Sequence, residues 1–140
     1  MSPHQTTLFD FPTLNITRPL KEHMNALVKG SNYSREQLVE RMNDLAERYG
    51  VTLVGGNGSR LTLDTFEKWI NPQDISRQMP IKALPVFCAI LRDVSILNII
   101  AQPLGAEVIG PDDRKKLEWA DAKLDVQKKS RRIREIEKEL

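Results

Sequence analysis

An all-α fold is what this sequence predicts, and three observations carry the prediction. Apolar residues recur three and four apart through most of the 140-residue chain, which is helical spacing rather than strand alternation. Helix start and stop signals punctuate that pattern at regular intervals. The one run that favours a strand, Val51-Thr52-Leu53-Val54, is short and leads straight into Gly55-Gly56-Asn57-Gly58. The expected architecture is a five-helix domain over 17–109 and a long C-terminal helix over 110–140, preceded by an arm over 1–16. At most a short β-hairpin is expected in the 51–60 loop.

The elements follow in order. Thr17 is expected to cap the first helix, about 18–28. Pro19 sits in its first turn, where a missing N–H costs little. Leu20, Met24, Leu27 and Val28 form its apolar face, and Lys29-Gly30-Ser31-Asn32 ends it. Ser34 opens the second helix with a capping box, because Gln37 can reach back to the cap N–H. Leu38, Met42, Leu45, Ala46 and Tyr49 make its stripe, and Gly50 stops it. Thr62 caps a third helix over 63–70 with Phe66 and Ile70 inward, closed by Asn71-Pro72. A linker over 73–79 precedes a fourth helix, about 81–92. A fifth runs over about 95–103, with Ile96, Leu97, Ile99 and Ile100 expected inside. Asp112 and Asp113 open the last helix, where acidic residues suit the helix dipole.

Composition narrows the function. The single cysteine, Cys88, excludes an internal disulfide; in its apolar run it reads as a small core residue, and a reducing compartment fits. The first residues lack the basic start and apolar run of a secretory signal, and no stretch is apolar enough to cross a bilayer, so a cytoplasmic protein is expected. The net charge of +2 is no strongly basic nucleic-acid coat. Residues 112–140 hold ten Lys/Arg and eight Asp/Glu, and the rest of the chain holds eleven of each, so the small excess lies in the tail.

Catalytic patterns are missing. Gly55-Gly56-Asn57-Gly58 has no Lys-Ser/Thr behind it, so it is no phosphate cradle. His4, His23 and one cysteine assemble no zinc set. Asp64 and Glu67 are acids at a helix start rather than a catalytic pair. A binding protein without enzyme activity, cofactor or metal is expected.

The informative stretch is Leu61-Thr62-Leu63-Asp64-Thr65-Phe66-Glu67-Lys68-Trp69-Ile70-Asn71-Pro72. It reads as a short capped helix, apolar on one side, with small polar residues on the other. Such side chains let a helix approach base edges and phosphates. The helix before it would cross the DNA backbone as a support. A plain surface helix of a bundle has the same pattern, and the residues alone leave both readings open.

Further along stand Leu84-Pro85-Val86-Phe87-Cys88, then Asp93, then Ile96-Leu97-Asn98-Ile99-Ile100-Ala101 and Leu104-Gly105. Taken in order, these pieces resemble the CII-type phage regulators of the lambda-repressor-like helix-turn-helix superfamily, over about residues 18–108. The resemblance implies a helix-turn-helix fold and a sequence-specific transcriptional regulator of phage or prophage type, whose partner is double-stranded DNA in a bacterial cytoplasm. It assigns Thr62, Thr65 and Lys68 to the groove and Arg60 to a phosphate, with Ser59, Asn57 and Arg35 as further contacts. Two departures stand out. The 50–60 connection is long where the family has a tight turn, and Asp64 and Glu67 repel phosphate.

In the tail, Trp119, Val126, Ile133 and Leu140 recur every seven residues, with Ala122, Lys129 and Ile136 between them. That is a coiled-coil seam with one polar interruption, and a homodimer or higher homo-oligomer is expected. The alternative is a solvated helix that packs on its own domain through Leu117, Trp119 and Leu124. The basic run Lys128-Lys129-Ser130-Arg131-Arg132, continued by Arg134, is either a phosphate contact or a solvated face laced with Glu135, Glu137 and Glu139. In the arm, Gln5, Leu8 and Phe9 resemble the short peptides that dock on bacterial sliding clamps, against the plainer reading of an arm pinned to its own core. The second functional reading is a helical adaptor that docks a protein through the C-terminal helix or the arm.

Overall fold

The computed structural model describes residues 13–55 and 60–140. Among the described residues there are six α-helices and no strand: α1 (Thr17–Gly30), α2 (Arg35–Arg48), α3 (Leu63–Ile70), α4 (Leu84–Leu91), α5 (Ser95–Ala101) and α6 (Pro111–Glu139). Single turns of 3-10 helix, Ile81–Ala83 and Gln102–Leu104, precede α4 and follow α5. The chain forms two compact units, one ending at Val108 and one spanning Ile109–Leu140.

Local chemistry accounts for most boundaries. The first helix includes Thr17 rather than being capped by it. Ile16 is the cap residue and bonds nothing with its side chain, while Asn15 Oδ1 accepts from the Thr17 N–H at 3.3 Å. Asparagine two residues upstream does the capping work that Thr17 was expected to do. The capping box on α2 forms as expected: Ser34 Oγ accepts from the Gln37 N–H at 3.1 Å, and Gln37 Oε1 accepts from the Ser34 N–H at 2.8 Å. At its other end Gly50 takes φ +69°, and the Gly50 and Val51 amides donate back to Glu47 and Ala46. This Schellman pair needs the left-handed conformation, which glycine adopts without penalty.

No strand forms in the described parts of the 51–60 loop, a correction to the expected hairpin. Val51–Val54 lack a second strand to pair with, so burial rather than pairing holds them: Leu53 is buried and Val51 and Val54 pack partly against the core. Gly56 to Ser59 lie outside the described residues, and so does the candidate contact Ser59 with Asn57.

In the N-terminal unit α2 packs on α4 and α3, and α1 packs on α5 and α3. One continuous core results, containing Met24, Val28, Leu38, Met42, Phe66, Ile70, Phe87 and Ile96. Phe66 and Phe87 meet with ring centroids 6.3 Å apart, tilted by 41°. Cys88 is part of this core, and burial foremost, then the Asp93 charge, pushes its thiol pKa up. Of the four residues of α5 expected inside, only Ile96 is fully buried; Leu97, Ile99 and Ile100 are half-buried. Two turns of helix present a narrow face to α1, so a single residue sits in full contact.

Asp93 organises the start of α5. Its carboxylate accepts from the Ser95 N–H at 2.7 Å and from the Ser95 hydroxyl, and His23 Nε2 lies 2.6 Å from Ser95 Oγ. The Ser95 side-chain bond, then its backbone bond, holds the Asp93 pKa below the usual carboxylate range, with the nearby His23 charge contributing less. Asp74 is lowered in the same way by Ser76. Both groups favour ionisation in the folded state, so their contribution is complete at neutral pH. It disappears as pH falls through the lowered values. Chemical-denaturation stability is therefore expected to drop as pH falls below about 4. Asp93→Asn is expected to be less stable at neutral pH and to show a shallower acid limb; an unchanged limb would remove Asp93 from this role.

Candidate nucleic-acid interface

The third helix is too short to be stable by itself, since isolated helices under about 12 residues are marginal in water. Its structure therefore comes from its anchors. Thr62 caps it, accepting from the Thr65 N–H at 3.2 Å. Phe66, Trp69 and Ile70 are all buried, one more apolar anchor than the sequence suggested. Beyond these, two polar side chains hold its ends.

Asn43, on α2 and buried, holds the N-terminal end. Its Nδ2 donates to the Leu61 carbonyl at 2.9 Å and its Oδ1 accepts from the Leu61 N–H at 2.8 Å. The amide thus imitates a backbone pairing partner and satisfies both polar groups of Leu61, which is itself buried. This two-point clasp sets where the long loop re-enters the fold.

Lys21, on α1, holds the C-terminal end. Only 1% of it is exposed. Its ammonium donates to the Lys68 carbonyl at 2.8 Å, to the Trp69 carbonyl at 3.0 Å and to the Arg77 carbonyl. Three donors meet three acceptors, and a positive charge lies at the negative end of the α3 dipole. Burial pushes the Lys21 pKa below its ordinary value, and the Asp74 carboxylate offsets part of that. Neither Lys21 nor Asn43 was picked out from the sequence. The signal was present in both cases: Lys21 shares a face with Met24 and Val28, and Asn43 with Val39 and Ala46, so each is a polar residue inside an apolar stripe.

With both ends held, α3 leaves Thr62, Asp64 and Glu67 exposed and Thr65 and Lys68 half-buried. The Thr62 and Thr65 hydroxyls are 3.2 Å apart and bond one another. Lys68 Nζ lies 3.1 Å from Asp64 Oδ2, one turn earlier. Arg60 reaches α2, where it pairs with Glu47 at 3.1 Å and Asp44 at 3.7 Å. Arg60, Thr62 and Thr65 thus lie at the start of α3 and the α2 turn beside it, while Lys68 sits in the last turn of α3 and reaches back only as far as Asp64.

Arg35 does not join them. It opens α2 and donates to Asn25 on α1 at 3.1 Å. Nine residues of helix separate it from Asp44, about 13 Å along the axis. The connection from α2 to α3 is not a tight turn either, since it runs from Tyr49 to Thr62.

The expected seam residues Trp119, Val126, Ile133, Ile136 and Leu140 are between 47% and 100% exposed, and no residue of α6 is buried. Gln5, Leu8 and Phe9 lie outside the described residues. No helix of the described residues is long and apolar enough to cross a membrane. An apolar groove of about 800 Å³, lined by Ile81, Leu84, Pro85, Cys88, Leu97 and Ile100, runs between α4 and α5 and was not foreseen. No family model, curated protein or solved structure matches the chain.

If Lys21 holds α3 as described, Lys21→Met keeps the stem's bulk but strands three carbonyls. Urea unfolding is expected to show a loss of about 3 kcal/mol or more, since a buried acceptor left without a donor costs about 1–3 kcal/mol. A loss below about 0.5 kcal/mol, the range of ordinary surface changes, would mean water replaces the ammonium without penalty.

Proposed function

We propose that this protein is a sequence-specific DNA-binding regulator of the helix-turn-helix type, as the phage regulators it resembles are, and that α3 is its recognition helix. The observation that carries the reading is how α3 is mounted. A two-turn helix is clasped at both ends by buried polar groups and anchored by three apolar residues. Its outer face carries the hydroxyls of Thr62 and Thr65 and the Lys68 ammonium, set among the carboxylates of Asp64 and Glu67, with Arg60 beside it. A rigid helix with a thin polar surface suits insertion into the major groove.

The carboxylates around it do not forbid this. Arg60 and Lys68 are both more than a third exposed, and their ion pairs are of the exposed kind, worth about 0–1 kcal/mol each. A phosphate can take either cation at that small cost. Asp44, Glu47, Asp64 and Glu67 do outnumber the two cations, so little affinity comes from bulk charge. Recognition then leans on base contacts by Thr65 and on paired half-sites in a dimer.

The adaptor reading is favoured by that same acidic surplus and by the exposed apolar residues of α6. It predicts a protein complex and no DNA affinity at any salt concentration.

The test is fluorescence anisotropy on duplexes tiled from the DNA flanking the gene, at several salt concentrations. Arg60 and Lys68 give two phosphate contacts per protomer, so log K against log salt is expected to fall with a slope of about −2 per protomer bound. Lys68→Ala should reduce that slope by about one unit. Thr65→Ala should narrow the preference for the best tile over the others by about tenfold, as loss of a base contact does. Full binding by the variant combining Thr65→Ala and Lys68→Ala would remove α3 from the interface, and no binding by the native protein at low salt would remove DNA.

A further inference from the structure

The long helix α6 carries an apolar seam none of whose residues is buried among the described residues, with charges arranged along it. Placing Trp119, Val126, Ile133 and Leu140 at the first core position of the heptad puts Ala122, Lys129 and Ile136 at the second. The flanking positions are then set. Glu118, Asp125, Arg132 and Glu139 precede the first core position, and Lys116, Lys123, Ser130 and Glu137 follow the second.

These flanks distinguish the two ways a second copy can lie. In a parallel pair each flanking residue meets the one five positions later on the partner. Glu118 then faces Lys123, Asp125 faces Ser130 and Arg132 faces Glu137. Two of these flanking contacts are attractive, one is neutral and none is repulsive, while in the core the two Lys129 side chains share one layer. In an antiparallel pair in the matching register, like flanks face like. Asp125 would meet Arg132 and Lys116 would meet Glu137, but Glu118 would meet Glu139 of the other copy.

Strand number follows from the core residues. With Ala122, Lys129 and Ile136 at the second core position the apolar residues do not choose a strand number, and Lys129 decides it. In a two-stranded coil its stem can lie along the seam while the ammonium reaches water past the flank. In three or four strands the core would enclose the charge.

From this pattern we propose that α6 associates with a second copy of this chain as a parallel, two-stranded coiled coil from Trp119 to Leu140. This does not rest on the DNA reading. It does join both N-terminal units to the same end of the coil, an arrangement compatible with reading a site of two-fold symmetry. Lys129 makes the association weak and reversible.

Sedimentation equilibrium on the full chain tests the proposal through one charge reversal. The native protein is expected to move from 16.0 kDa towards twice that mass with concentration. Glu118→Lys places lysine against Lys123 in the parallel pair, so its dissociation constant should rise roughly threefold to tenfold, the effect of losing and reversing exposed ion pairs. Adding Lys123→Glu should restore it. In the antiparallel pair the same Glu118→Lys change would tighten association, because Glu139 would gain a partner. Tighter or unchanged association overturns the parallel orientation. A trimer or tetramer overturns the strand number, and a monomer throughout the micromolar range overturns the coil. Val126→Asp should give the monomer while the cooperative unfolding of the N-terminal unit is retained, because no residue of α6 is buried within the protomer.

Discussion

The Lys21 ammonium connects α1 to the end of α3, and the placement of the candidate interface depends on that bond. An α-helix ends in carbonyls with no partner inside the helix, and a short helix cannot bury that end against core side chains without satisfying them. Lys21 supplies three N–H donors and a charge of the sign the helix end attracts. It also reaches the Arg77 carbonyl, so the linker after α3 is tied to the same point. A buried charge is costly unless every donor is used, and here every donor is used. The lowered pKa reflects the desolvation that remains.

Asn43 provides the matching constraint from α2. Two hydrogen bonds to one residue fix both position and direction of the chain at Leu61, immediately before the Thr62 cap. The unusually long loop before it is thereby separated from the geometry of α3. A side-chain clasp, rather than a short turn, fixes the start of α3.

Strongly held and weakly held charges are segregated in this unit. Lys21 is buried, fully bonded and unavailable to a ligand. Arg60 and Lys68 are exposed and held by pairs that exchange easily. The distinction matters for binding, because an exposed cation can trade a carboxylate for a phosphate without unfolding anything. Along α6 every charged residue is exposed as well.

Several features were legible in the sequence because they are short-range. The Ser34 capping box, the glycine stop at Gly50 and the Thr62 cap all concern residues within one or two helical turns, where spacing alone dictates what meets. The short hairpin allowed at 51–60 does not form among the described residues for the complementary reason: β-favouring residues make a strand only when a partner strand is at hand. Thr17 lost its capping role to Asn15 because two local solutions competed within three residues. Tertiary structure alone decided what Lys21 and Asn43 do. Their partners lie 47 and 18 residues away. A polar residue in an apolar stripe announces that it needs a partner, but only the packing of α1, α2 and α3 determines which backbone groups come within reach.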